Sequence, residues 1–132
     1  MYGYNKGTVA TPKLLSEELK AQVLNLLDDL LEIFPEDFSM LAARLFFSDK
    51  VEAEPLMKGF VKYVLPWKEQ IIGRQENYFD KNEYIFGDID SDQVEHFRKL
   101  YKSPRFTPDD KKVVWDYFQI YLVLAEKYKK II

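Results

Sequence analysis

The chain has no cysteine and a single histidine, His96, among its 132 residues. The first absence excludes disulfides, thiol nucleophiles and thiolate metal sites, and it suits a reducing compartment. The second excludes a histidine-rich metal centre. With no serine or cysteine motif beside it, His96 reads as a surface or half-buried structural side chain rather than a general base. Glycine is scarce at five residues. Neither Gly-x-Gly-x-x-Gly nor a phosphate loop ending in Gly-Lys-Ser/Thr occurs, so nucleotide chemistry has no support. No apolar run approaches the ~20 residues of a membrane span. The opening Met-Tyr-Gly-Tyr-Asn-Lys-Gly lacks the apolar core of a signal peptide, and Tyr2 stands where myristoylation needs glycine. A soluble, intracellular, cytoplasmic protein with no membrane insertion is the expectation. Excess positive charge is lacking too: a net charge of -3 and a pI near 5.3 leave no global basic field for a polyanion. Nucleic acid is therefore an unfavoured partner.

What is present is apolar and aromatic. Hydrophobic residues make up 47% of the chain and aromatics 16%, including ten Phe, nine Tyr and two Trp. This length suits one domain and a core with many large rings, and the surplus of rings leaves some for an exposed patch that another protein covers. Tyr2, Tyr4, Trp67, Tyr84, Phe86 and Trp115 are the candidate partner-binding residues.

Helical periodicity dominates. Residues 1–10 carry two glycines, two tyrosines and no periodicity, and read as a flexible arm; residues 11–132 read as one helical domain. Thr11-Pro12 could cap a first turn, but Ser16-Glu17-Glu18 is the stronger start. Leu19, Val23, Leu26, Leu27, Leu30 and Phe34 then follow at helical spacing, and Pro35 ends the helix. A second helix places Phe38, Leu41, Ala42, Leu45 and Phe46 inward. A third runs from about Glu54-Pro55 to Leu65, and Pro66 kinks or restarts it. A fourth continues to about Phe79, weakened by Gly73. Asp80 to Asp92 is a loop in which Tyr84-Ile85-Phe86 plugs the core. A short helix opens at Asp90 with Val94, Phe97, Leu100 and Tyr101 inward. The last helix, Thr107 to Ile132, starts with threonine, proline and two acids, and is apolar almost all round. Such a helix is expected to be covered on several sides. The predicted fold is an all-α, single-domain bundle of about five or six helices around this C-terminal helix.

Reactive constellations are missing from this plan. Asp88, Asp90 and Asp92 alternate as calcium ligands do, but Gln93 stands at the position needing glycine and Lys99 where a bidentate glutamate is required. The acids read as a solvated cap and turn. No cofactor and no small-molecule substrate is indicated. Arg98, Lys99, Lys102 and Arg105, with Lys127, Lys129 and Lys130, form two modest basic clusters. Helix-end lysines complement the helix dipole first; the alternative is a nucleic-acid-binding or regulatory helical module.

At Tyr63-Val64-Leu65-Pro66-Trp67-Lys68-Glu69-Gln70-Ile71, at Glu76-Asn77-Tyr78-Phe79, and from Val114-Trp115-Asp116-Tyr117-Phe118 to Leu124, the C-terminal half resembles small uncharacterised helical proteins of nucleo-cytoplasmic large DNA viruses. The resemblance implies a virus-encoded protein and a minor virion component. Its motifs are packing motifs and carry no functional residue across. The leading expectation is a non-enzymatic structural or protein-interaction subunit, acting on a protein partner or by self-association.

Overall fold

Threonine followed by proline starts both of the longest helices. In a computed structural model, which describes residues 10–132, α1 spans Pro12–Ile33 and α7 spans Pro108–Ile131. Thr11 and Thr107 accept hydrogen bonds from the backbone N–H groups of Leu14 and Asp110, and each proline occupies a first-turn position whose N–H would have no helical partner. The Asp110 carboxylate in turn accepts from the Thr107 N–H, completing a capping box. Tyr2 and Tyr4 of the expected arm lie outside the described residues.

Ser16-Glu17-Glu18 is not the start of α1. Ser16 lies buried inside the helix and its hydroxyl donates to the Pro12 carbonyl at 2.7 Å. The helix begins a turn earlier, which adds Leu15 to the face formed by Leu19, Val23, Leu26, Leu27 and Leu30. That face packs against α7 and against α3, Ala53–Gly59. Between them, α2 covers Phe38–Lys50.

Pro66 shapes the chain after α3. It has no N–H to give, and its ring would strike the carbonyl of Lys62 in a continued α-helix. The preceding turn, Phe60–Val64, widens into a π-helix, with the Leu65 N–H reaching back to the Phe60 carbonyl. A 3-10 turn at Leu65–Trp67 then leads into α4, Lys68–Ile72. The run from Ala53 to Ile72 is therefore helical throughout, with changed pitch at the proline.

The expected continuation of this helix to Phe79 does not occur. Gly73 caps α4, and Arg74 adopts a left-handed φ of 52°. The Gln75 N–H bonds the Gln70 carbonyl and the Arg74 N–H bonds that of Ile71, the pairing of a Schellman stop. A separate short helix, α5, follows at Asn77–Lys81. The loop beyond it inserts Ile85 and Phe86 into the core, whereas Tyr84 stays exposed and stacks on Tyr63. Gly87, at φ 75°, and Gly59 of α3 meet face to face; a Cβ on either would stand 3.1 Å from backbone of the other segment. This glycine contact lets the loop lie directly on α3. The last short helix, α6, is Ser91–Tyr101, with Asp90 as its cap.

The architecture is an all-α bundle. Counting the continuous run from Ala53 to Ile72 as one, it has six helical segments and no strand among the described residues. Phe79, Phe97, Tyr101, Trp115 and Phe118 form a contiguous aromatic core between α5, α6 and α7. The covering of α7 is less complete than its sequence predicts, because Val113, Ile120 and Val123 face solvent along one side.

Candidate functional site

The apolar residues of α2 form two stripes rather than one. Phe38, Leu41, Ala42, Leu45 and Phe46 recur at helical spacing, and so do Met40, Ala43 and Phe47. The fold turns the second stripe inward, against the expectation that the first would be core. Phe47 is 7% exposed, whereas Phe46 beside it is 59% exposed and Phe38 is 84% exposed.

Polar ties fix this rotation. Arg44 donates from Nε to Asp28 Oδ1 of α1 at 2.9 Å, and Lys20 of α1 donates to the Ser48 carbonyl at 2.9 Å. At the other end Asp37 caps α2, accepting from the Met40 N–H at 2.8 Å. His96 Nε2 of α6 lies 3.0 Å from both Asp37 carboxylate oxygens. His96 is thus a half-buried structural side chain that clamps α6 to the start of α2. With Arg44 held toward Asp28, only Met40, Ala43 and Phe47 can face the body of the bundle.

A groove of about 930 Å³ opens beside the outward stripe. It is lined by Ala42, Phe46 and Phe47 of α2, by Val23, Leu27 and Leu56, and by Phe86, Ile89 and Phe97. Its charged rim consists of Glu52, Asp88, Asp90 and Lys50. Among the described residues, the ion pairs lie elsewhere and none includes Glu52, Asp88 or Asp90. The rim therefore carries three acids against one lysine beside an apolar trough, with Asp90 engaged as the α6 cap. A smaller cleft of about 270 Å³ between α1 and α7 is lined by Leu26, Leu30, Ile33, Phe106 and Val114 with Asp29, Glu32 and Asp110, and by Val113 from the exposed side of α7.

The aromatic candidates separate clearly. Trp115 is buried at 4% exposure, its indole N–H donating to the Tyr101 hydroxyl at 3.1 Å, so it belongs to the core rather than to a surface. Trp67 is half-buried edge-on to Tyr78. Tyr84 is exposed, and Phe86 lines the groove. The structure does not gather Trp67, Tyr84 and Trp115 into one patch with Phe86. The exposed phenylalanines of α2, which sequence periodicity assigns to the core, form the patch instead. The available signal was that α2 carries more apolar residues than one face can bury.

Three of the seven basic candidates are engaged by protein groups. Arg98 donates to the carbonyls of Phe79 and Asn82, holding the end of α5, and pairs with Glu95. Lys102 pairs with Asp80 at 2.8 Å. Arg105 pairs with Glu36 and lies over the Phe34 ring; its guanidinium holds the Glu36 carboxyl below its ordinary pKa. Lys99, Lys127, Lys129 and Lys130 are exposed, the last three in the final turns of α7, where they complement the helix dipole. Among the described residues no three His, Asp or Glu side chains converge as a metal site would require, and Asp90 is occupied as the α6 cap, accepting from the Asp92 N–H at 2.8 Å. No helix of the described residues is long and apolar enough to cross a membrane. No protein-family model, curated protein or solved structure matches the chain.

Proposed function

We propose that the chain is a non-enzymatic protein-interaction subunit, and that α2 with the groove beside it is the surface through which it works. One observation carries this reading: a continuous helical stripe, Phe38, Leu41, Ala42, Leu45 and Phe46, faces solvent and leads into an apolar trough. Contiguous exposed apolar surface of this kind is costly in an isolated chain and is ordinarily covered by a partner. The engagement of Arg98, Lys102 and Arg105 by protein groups argues against the nucleic-acid alternative, since those cations would have to give up partners to reach phosphate. The resemblance of the C-terminal half to small proteins of large DNA viruses extends the proposal to a minor virion component.

The test compares the wild-type chain with Phe46→Ser, after circular dichroism has shown the same helix content. Affinity capture from the cells in which the chain is naturally made, with sedimentation at several concentrations, should give at least one partner or self-associated species that Phe46→Ser loses. A chain that is monomeric throughout, with no interaction sensitive to Phe46, contradicts the proposal.

A further inference from the structure

We infer that the groove receives an amphipathic helix from a partner protein, and that this helix carries lysine or arginine along the edges of its apolar stripe. The inference rests on the interaction reading above and adds the identity of the occupant. The groove is itself lined by a helix: α2 has 13 residues, about 20 Å of length. Its exposed residues follow the spacing of a ridge that packs into the groove of another helix. A strand would need an open sheet edge, and the described residues contain no strand. Charge then selects among helices. Glu52 and Asp88 stand on the rim with no ion-pair partner among the described residues, against the single Lys50, while Asp90 is engaged as the α6 cap. A cationic flank on the incoming helix would satisfy these acids and gain electrostatic steering.

The same charges weigh against the other occupants. A second copy docking by its own α2 would double the rim acids at one seam against one Lys50 from each copy, setting like charges together. An anionic lipid surface would meet the same repulsion.

Two synthetic peptides of about 15 residues, about 22 Å long as helices, distinguish these cases. Both carry leucine at i, i+3, i+4 and i+7; one has lysine at the flanking positions and the other glutamate. Fluorescence anisotropy against the full chain should show the lysine peptide binding at least about tenfold more tightly, with the preference shrinking as salt rises. The double substitution Glu52→Gln with Asp88→Asn should remove most of that preference. Phe46→Ser and, separately, Leu45→Ser should weaken both peptides, and both positions are exposed enough to be replaced without disturbing the core. Equal binding of the two peptides, preference for the glutamate peptide, or binding of neither overturns the inference. So does a concentration-dependent dimer, or adsorption to phosphatidylserine vesicles, that Phe46→Ser abolishes; either would leave the apolar face functional while assigning it another occupant. An interaction reading that itself fails is recognised separately, by a chain that binds nothing in a Phe46-dependent way.

Discussion

Arg74 holds a backbone conformation that usually falls to glycine. Its φ of 52° ends α4, while Gly73 sits one residue earlier at an ordinary φ of -77°. A left-handed non-glycine residue costs on the order of 1 kcal/mol. Arg74 partly offsets this by pairing with Asp116 of α7 at 2.5 Å, an exposed contact worth about 0–1 kcal/mol. Arg74→Gly and Arg74→Ala both remove the ion pair, so their comparison isolates the backbone. Denaturant titration should find the glycine variant more stable than the alanine variant by about 1 kcal/mol; equal stabilities would show that the turn is not strained. The tyrosines give a second test. Burial lifts the hydroxyl pKa of Tyr78 and Tyr121 well above the ordinary 10.0. Tyr101, Tyr117 and Tyr128 are raised by burial first and then by Glu76, Asp29 and Glu54 respectively. The fold thus stabilises the neutral phenols. That contribution is complete below the unfolded value near 10.0 and is lost as pH climbs through the raised values. In an alkaline titration followed by phenolate absorbance, these tyrosines should ionise together with the loss of helical dichroism. Ionisation of every tyrosine near pH 10 with the helices intact would contradict their placement.

At the scale of the element, α2 depends on few attachments, and Asp37 supplies a disproportionate share. It caps the helix and also accepts from His96. Asp37→Ala loses both and should cost about 1–2 kcal/mol, whereas Asp37→Asn keeps a good cap and should cost less. Thermal unfolding of the two variants checks the order. The same helix shows where sequence reasoning reached its limit. The start of α7 is legible because cap, proline and acids are consecutive, and the inward face of α1 is legible because Lys20, Asn25, Asp28, Asp29 and Glu32 mark the opposite face. The plug at Ile85 and Phe86 is legible as an apolar island in a polar loop. The face of α2 is not, because two apolar stripes compete and the choice rests on Arg44 reaching Asp28 and on Lys20 reaching Ser48, contacts distant in sequence. The start of α1 is misplaced for a related reason: Ser16-Glu17-Glu18 has capping chemistry, yet Ser16 satisfies its hydroxyl on the preceding turn. The break after Gly73 was readable only as a weakness, since the left-handed residue is Arg74.

Across the whole molecule, polar groups are spent on holding helices together and apolar groups are left over on one side. Ion pairs link α1 to α2, α4 to α7 and the end of α6 to the end of α5, and the His96–Asp37 hydrogen bond links α6 to the start of α2, while α5, α6 and α7 share the aromatic core. Besides a smaller aliphatic stripe along α7, Val113, Ile120 and Val123, the exposed apolar surface is concentrated on the outer face of α2 beside the acidic rim. If that face serves binding, its side chains contribute little to folding, and the adjacent inward residues contribute much. Phe46 and Phe47 are neighbours in sequence and differ only in the direction they point, which makes equilibrium unfolding of Phe46→Ala and Phe47→Ala the most direct test. Phe47→Ala should cost about 3 kcal/mol or more through loss of burial and the cavity left behind, and Phe46→Ala should fall within about 0.5 kcal/mol of the wild type. Equal losses, or a larger loss at Phe46, would mean that α2 is turned the other way and that the stripe assigned to a partner belongs to the core.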